Sequence, residues 1–488
     1  MQKKILALSL FLLVAIFQAY LKFEFHECWK DEWQAWFVAK DMSWFEMFDF
    51  LSYEGHPIIW YAWLKIGQLI TGLFPISEVI QLKILHFIPW LAVLYVLLFK
   101  MRVPSWLAGF IAISFFPFFE YGLVSRGYVF VMLFSFLLAY FEKEKRSNSK
   151  LEAGLLFLIC QTEVFGAFFA LAWLWYKVAG KNGLPDYKVF KDNPYFKNLS
   201  WAVGLGWAFL IFSIFPETQT NNYGAAVVAN PFDPIHLGTA LQGVFGNSFF
   251  VGWMEDTASA GVSGLGILLS FAAIGIIVFL FFNNKKALTT WLFFMLMMFS
   301  FSVLVYQGGI RHWGMSLVFF FMLLSVAQPE NWLKSPLKLA AFGIILIAQL
   351  SYAYLAVVRE VKFPYTNAKE TAAFLKEKVP ETVPIIAMNK FAGTPVVGYL
   401  GRKMYSLPDG EAFSYFRWLD KVYVPVEAEF KQFANFKNVG GLILLSDKPL
   451  PKERYPSIKP WETFDRFNLR MENYYLYVFD VKDFEANH

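Results

Sequence analysis

The sequence predicts a polytopic α-helical membrane protein carrying a small extracytoplasmic α/β domain at its C-terminal end. Three observations carry that expectation. The chain is 57% hydrophobic and 20% aromatic but only 17% charged, with a mean hydropathy of +0.44, which places it outside the range of soluble globular proteins. Its first 358 residues alternate long apolar runs with short basic clusters. After Val358 the pattern changes to alternating helix and strand signals. The net charge of +5 resides in the basic clusters between apolar runs, where orientation in a membrane accounts for it, so nucleic acid is not an expected partner. The two cysteines, Cys28 and Cys160, lie far apart and read neither as a disulfide framework nor as a metal cluster.

Taken in order, Lys3-Lys4 followed by Ile5 to Tyr20 has the charge and length of a signal peptide. No small-residue cleavage site follows and many membrane segments do, so this reads as an uncleaved first helix with a cytoplasmic N-terminus. The next stretch, Cys28-Trp29-Lys30-Asp31-Glu32-Trp33-Gln34-Ala35-Trp36, then falls on the outer face of the cytoplasmic (inner) membrane, the periplasm of a Gram-negative cell. Adjacent carboxylates set among tryptophans are not what a connector needs, and this loop is the candidate active site. Within it, Trp33–Lys40 and Ser43–Leu51 read as amphipathic pieces lying at the interface, the second capped by Ser43 with Glu46 three residues on.

Later apolar runs are Pro57–Phe74, Val79–Phe99, Pro104–Phe119, Gly122–Phe141, Leu151–Gly180, Trp201–Phe215, Gly261–Phe282, Ala287–Tyr306, Trp313–Val326 and Leu337–Val358. Leu151–Gly180 is interrupted by Gln161-Thr162-Glu163 and reads as two short helices meeting at a polar turn. Basic linkers at Lys143–Lys150 and Lys177–Lys197, with Lys285-Lys286, Lys334 and Lys338, are expected inside. An odd number of crossings must then separate the Asp31 loop from Lys143, yet four apolar runs lie between. Pro57–Phe74, interrupted by Lys65 and Gln68, is the run expected not to span, with Lys65 snorkelling outward. About eleven crossings follow from the length rule. Gln161–Glu163, Pro216–Ala260 and Gln307–His312 are left outside. Residues 1–358 form the expected membrane domain and 359–488 the α/β domain, with a helix over Ala368–Lys378 behind Thr366-Asn367. Strands are expected at Thr382–Met388, Gly441–Leu445 and Tyr474–Phe479, and Val396–Leu400 as a short buried run.

An Asp31-Glu32 pair in the first outer loop, Glu54-Gly55-His56-Pro57 opening the next apolar run, and Glu120-Tyr121-Gly122-Leu123-Val124-Ser125-Arg126-Gly127-Tyr128 together resemble the N-terminal half of GT-C glycosyltransferases. The similarity is strongest to the branch containing protein O-mannosyltransferases and the lipid A aminoarabinose transferase, and covers residues 5–180. The sequence departs from the branch in having Pro57-Ile58-Ile59-Trp60-Tyr61 where members often have Pro-Pro-Leu-Tyr. The resemblance implies a sugar transferred from a polyprenyl-phosphate donor to a hydroxyl of an acceptor protein, lipid or glycan, within reach of membrane lipids.

Such chemistry needs a base for the acceptor and help for the departing phosphate. Asp31 is the preferred base because the family motif falls on the first acid of the pair; the residues alone leave Asp31 and Glu32 open. Glu32 orients the acceptor or binds a divalent metal such as Mg or Mn, and its structural reading is an ion pair with Lys30 or Lys40. For the donor phosphate the candidates are Arg126, Arg311, His312 and His56, since a guanidinium matches phosphate geometry in a fork. A structural pair with Glu120 is the other reading of Arg126, and His56 could equally be a metal ligand or a helix-start contact. Glu54, Glu120, Tyr128 and Glu163 are further substrate-binding candidates. A transporter or flippase of lipid-linked or small substrates is the alternative, though no second Asp-Glu aromatic loop marks a repeat.

Overall fold

The computed structural model of the chain describes residues 2–143, 149–186, 193–215, 230–251, 262–327, 333–407, 409–417, 426–437, 439–455 and 458–480, together with 188 and 191. Most of the Lys143–Lys150 linker and of the Pro216–Ala260 loop lies outside the described residues.

The helices follow the apolar runs, with boundaries set by local chemistry. α1 (Gln2–Tyr20) continues as a π turn to Phe25. α2 (Lys30–Asp41) and α3 (Trp44–Glu54) occupy the first loop, and Ser43 and Glu46 form the expected reciprocal cap, each side chain bonded to the other's backbone N–H. α4 (Ile58–Thr71) is 14 residues long, short of the roughly 20 that a crossing needs. α5 (Glu78–Tyr95) extends to Lys100. The run Pro104–Phe119, expected as one segment, is instead broken into α6 (Ser105–Ala112) and a π turn over Phe116–Glu120. Pro117 has no N–H to give a continuing helix, and its carbonyl accepts the Trp90 indole at 2.9 Å. The next run also starts late: Gly122–Gly127 is turn, and α7 is Tyr128–Lys143.

α8 (Ser149–Cys160) and α9 (Val164–Val178) are the two helices expected within Leu151–Gly180, separated at Gln161-Thr162-Glu163. Then come α10 (Pro194–Ile214), α11 (Pro234–Leu241), α12 (Gly264–Phe281), α13 (Lys285–Leu304), the single turn α14 (Ile310–Trp313), α15 (Met315–Val326) and α16 (Pro336–Lys362). Among the described residues six segments are long and apolar enough to cross a bilayer: Lys4–Phe25, Glu78–Lys100, Pro194–Ile214, Gly264–Phe281, Lys285–Leu304 and Pro336–Lys362. Three shorter apolar helices accompany them, Tyr128–Glu142, Val164–Val178 and Ile310–Val326.

Two compact units emerge. The first gathers Met1–Leu21, Phe48–Trp60 and Leu85–Val357. In it α8 packs against α9 and α10, and α9 against α13. One cluster of charges in it is mutually paired: Lys177 meets Glu142 at 2.5 Å and Glu152 at 3.4 Å, and Glu152 also accepts the Trp173 indole at 2.8 Å. A charge removed from water is tolerated only with such partners.

The second unit gathers Lys22–Met47, Tyr61–Ile84 and Val358–His488. Its C-terminal part contains α17 (Ala368–Lys378), β1 (Ile385–Ala387), α18 (Lys390–Leu400), β2 (Met404–Tyr405), β3 (Ala412–Phe413), α19 (Glu427–Lys437), β4 (Gly441–Ser446), β5 (Glu462–Phe464) and β6 (Tyr474–Asp480). Val396–Leu400, expected as a short buried run, is the end of α18, begun by the Asn389 side chain accepting from Phe391 N–H. The sheet order is β3-β2-β1-β4-β6-β5, with β1 parallel to β2 and β4 and the remaining pairs antiparallel. Ile386, Leu442, Leu444, Tyr477 and Phe479 from the strands bury against Phe430, Phe433 and Ala434 of α19.

Candidate active site

The Asp31-Glu32 helix is held more firmly than an interfacial piece would be. Residues 31–39 of α2 are all buried, so the amphipathic reading of Trp33–Lys40 is corrected: every face is covered. Lys65 does not snorkel; its ammonium donates to the carbonyls of Ala39 and Met42 at 2.9 and 2.5 Å, closing the C-terminal end of α2 as a cation should. Gln68 donates to the Trp36 carbonyl at 3.0 Å. The polar residues that interrupt Pro57–Phe74 are therefore spent on α2. Lys40 pairs with Glu78 at 2.6 Å rather than with Glu32, and Glu78 also accepts the Trp36 indole.

The C-terminal elements of the same unit complete the clamp. Gln34 bonds both ways to the backbone of Phe416, donating to its carbonyl at 2.7 Å and accepting its N–H at 3.0 Å. Tyr399 donates to the Cys28 carbonyl and meets the Trp33 ring edge-on at 5.4 Å. Replacing Gln34 by Ala strands both buried groups of Phe416, and a loss of about 1–3 kcal/mol of stability is expected in denaturation of the purified protein. An unchanged unfolding midpoint would show the pair to be dispensable.

Glu32 is completely buried, and its carboxylate accepts the Trp29 N–H at 3.2 Å and lies 3.1 Å from His26 Nε2. The other ring nitrogen, His26 Nδ1, lies 2.8 Å from Glu360. Burial alone would lower the His26 pKa, but the two bonded carboxylates overcome it and raise the pKa above the usual 6.5. A raised folded-state value means that the clamp's stabilisation is complete below pH 6.5 and is lost as pH rises through the folded pKa. Thermal unfolding of the wild type should thus weaken on the alkaline side, and His26→Gln should lack that slope. Persistence of the slope in the variant would assign it to another group.

Asp31, 7% exposed, stands in the first turn of α2, where the helix dipole favours a carboxylate. The Arg470 guanidinium lies over the rings of Trp29 and Tyr365, 4.2 and 4.7 Å from their centroids. Glu472, two residues on, accepts from the Thr366 hydroxyl at 2.7 Å. Burial above all, with the Asp31 carboxylate adding, pushes Glu472 up. Burial also raises the Cys28 thiol, which holds it in the protonated form.

A second charged centre lies in the first unit. Gly55, at φ +68°, ends α3 in the left-handed conformation that glycine adopts without cost, and Pro57 precedes α4. His56 is delivered between them. The Ile59 N–H bonds the Gln161 carbonyl at 3.0 Å, which ties the start of α4 to the α8–α9 turn and brings His56 Nδ1 to 2.8 Å from Glu163. Arg126 Nη2 lies 3.2 Å from His56 Nε2. An arginine can only donate, so Nε2 accepts and the His56 proton sits on Nδ1, directed at Glu163. Gly127 allows this closeness, since a Cβ there would sit 3.1 Å from both the Glu163 carboxylate and Trp60.

Tyr128 follows, its ring 5.9 Å from the Arg126 guanidinium and 6.1 Å from the His312 ring. Its buried hydroxyl has no hydrogen-bond partner among the described residues. Arg311, half-buried in α14, is within electrostatic reach of that hydroxyl, and its carbonyl accepts from Tyr121 at 2.5 Å. His312 Nδ1 accepts the Gly309 N–H and so caps α14. Glu54 and Glu120 are buried, at the end of α3 and of the Phe116–Glu120 turn. The structure thus brings His56, Glu163, Arg126, Tyr128, Arg311 and His312 into one neighbourhood, and Glu32 into another with residues the sequence did not single out: His26, Glu360, Arg470 and Glu472. Glu360 was the findable one, an acid inside the last turn of an apolar helix. Among the described residues no group of three or more His, Cys, Asp or Glu is placed to hold a metal ion.

Fold and site define a polytopic α-helical membrane protein with a buried charged centre in its apolar unit and a mixed α/β portion in the other. No protein-family model and no curated protein matches the chain. Among solved structures it is similar to ArnT from Cupriavidus metallidurans in the apo state, at 13% identity and a TM-score of 0.49, over 96% of this chain and 97% of that one. It is also similar to ArnT from the same organism bound to undecaprenyl phosphate, at 13% identity and a TM-score of 0.46, over 97% of each chain. At that identity no residue role is taken from either.

Proposed function

We propose that the chain is an integral membrane glycosyltransferase that moves a sugar from a polyprenyl-phosphate donor to an acceptor hydroxyl, with inversion at the anomeric carbon. The observation that carries this is the centre formed by Arg126, His56 and Glu163. A guanidinium buried in an apolar unit is expensive unless it serves an anion, and this one is oriented by a histidine that is itself fixed by a carboxylate. The adjoining Tyr128 hydroxyl is buried and has no hydrogen-bond partner among the described residues, a polar group ready to donate to a phosphate oxygen.

Arg126, joined by Arg311, binds the donor phosphate and stabilises the charge that grows on it as the glycosidic bond breaks. His56 holds Arg126 in place through its Nε2. Asp31 takes the acceptor proton, and Glu32, fixed by His26, sets the first turn of α2 from which Asp31 projects. A single displacement from the face opposite the phosphate requires one such base and no covalent sugar intermediate.

The test is incubation of the purified protein, reconstituted in lipid, with a polyprenyl-phosphate sugar and a membrane extract as acceptor source. Release of the polyprenyl phosphate and loss of the intact donor are expected. Movement of intact donor between leaflets without its consumption would replace this reading by a flippase.

A further inference from the structure

The loop between β5 and β6 carries an apolar spur that folding does not explain. Met471 has φ +54°, the one positive-φ non-glycine among the described residues, and is 84% exposed. Glycine or asparagine would meet that backbone at lower cost, so a methionine held outward there points to a use for its side chain. Phe467, on the same loop, is 63% exposed and packs edge-on against Phe363, ring centroids 4.9 Å apart. Phe363 is the first residue beyond α16, itself 40% exposed.

Chain continuity says what lies beside this spur. α16 has 27 residues, and at 1.5 Å per residue it is about 40 Å long, which exceeds the roughly 30 Å hydrocarbon core and matches a bilayer with its headgroups. Phe363 therefore emerges at headgroup depth. Exposed Arg359 and Lys362 close the helix, and Arg466, bonded to Glu370 at 3.0 Å, stands beside Phe467. Aromatic and apolar side chains rimmed by cations are the composition of a surface seated in a lipid interface.

We propose that Phe363, Phe467 and Met471 form a lipid-seated anchor, by which the β5–β6 loop rests in the headgroup region of the membrane that α16 crosses. The same loop places Arg470 over Trp29, so the anchor fixes the loop that braces the start of α2. The proposal needs only a membrane and stands whether or not the chain transfers sugar.

Cys28 and Cys160 are both buried, so single cysteines at exposed sites can be labelled selectively. An environment-sensitive fluorophore is attached at Phe467→Cys, at Met471→Cys and, as a control, at exposed Glu453→Cys, each in the full chain reconstituted in vesicles containing nitroxide-labelled phospholipid. The labels at 467 and 471 should be quenched at least about threefold more than the label at 453. Equal, weak quenching at all three positions overturns the proposal. So does blue-shifted emission at 471 without lipid quenching, which would mean that another protein surface covers the spur. Matching thermal unfolding of the three labelled proteins ensures that a difference reports depth rather than damage.

Discussion

Asp31→Asn should insert and fold normally, bind donor as the wild type does, and turn over at least about 100-fold more slowly, the usual loss when a general base is removed. The amide keeps the shape and most of the hydrogen bonding of the carboxylate but cannot take the acceptor proton. Because Asp31 is buried in a helix whose far end is closed by Lys65 and Gln68, the substitution is not expected to release the helix. Glu32→Gln is expected to act differently: its carboxylate is committed to His26 and to the Trp29 N–H, so stability should fall along with turnover. Steady-state kinetics with unfolding curves separate the two. Full activity in Asp31→Asn with a dead but stable Glu32→Gln would exchange their roles, and full activity in both and in the double variant would remove the catalytic assignment from this loop.

Arg126→Lys should weaken donor binding by at least about tenfold while preserving charge. A lysine offers a point charge in place of a planar fork, and the two are not interchangeable where a phosphate is gripped in two places. Glu163→Gln should give a smaller loss of the same kind, since it loosens His56, which only orients Arg126. The ordering Arg126 above Glu163 is itself the check: a direct binding titration with undecaprenyl phosphate as the probe reads both. Wild-type affinity in both variants would leave the cluster as a structural charge network.

Much of this was legible in the sequence because hydrophobic periodicity and length are local signals. The polar turn at Gln161–Glu163, the Ser43 cap, α17 and strands β4 and β6 all stand close to where residue patterns place them. What misled was tertiary. Trp33–Lys40 has the pattern of an interfacial helix, yet nothing in it announces that Gln34 will clasp Phe416, 382 residues away. Lys65 and Gln68 interrupt an apolar run and so read as a sign that it does not span, when their partners are backbone carbonyls of α2 and its C-terminal end, 23 to 32 residues earlier. His26 and Glu360 are 334 residues apart, and no spacing rule links them. Arg126, His56 and Glu163 were each found as candidates, but their order, with histidine in the middle as the orienting group, needed coordinates.

The most direct measurement is a structure of the protein, in a lipid environment, with undecaprenyl phosphate bound. The phosphate is expected within hydrogen-bonding distance, about 3 Å, of the Arg126 guanidinium and of the Tyr128 hydroxyl, with His56 still joining Arg126 to Glu163. A phosphate seated elsewhere, with Arg126 unmoved and still bonded to His56, would contradict the assignment of this centre to the donor.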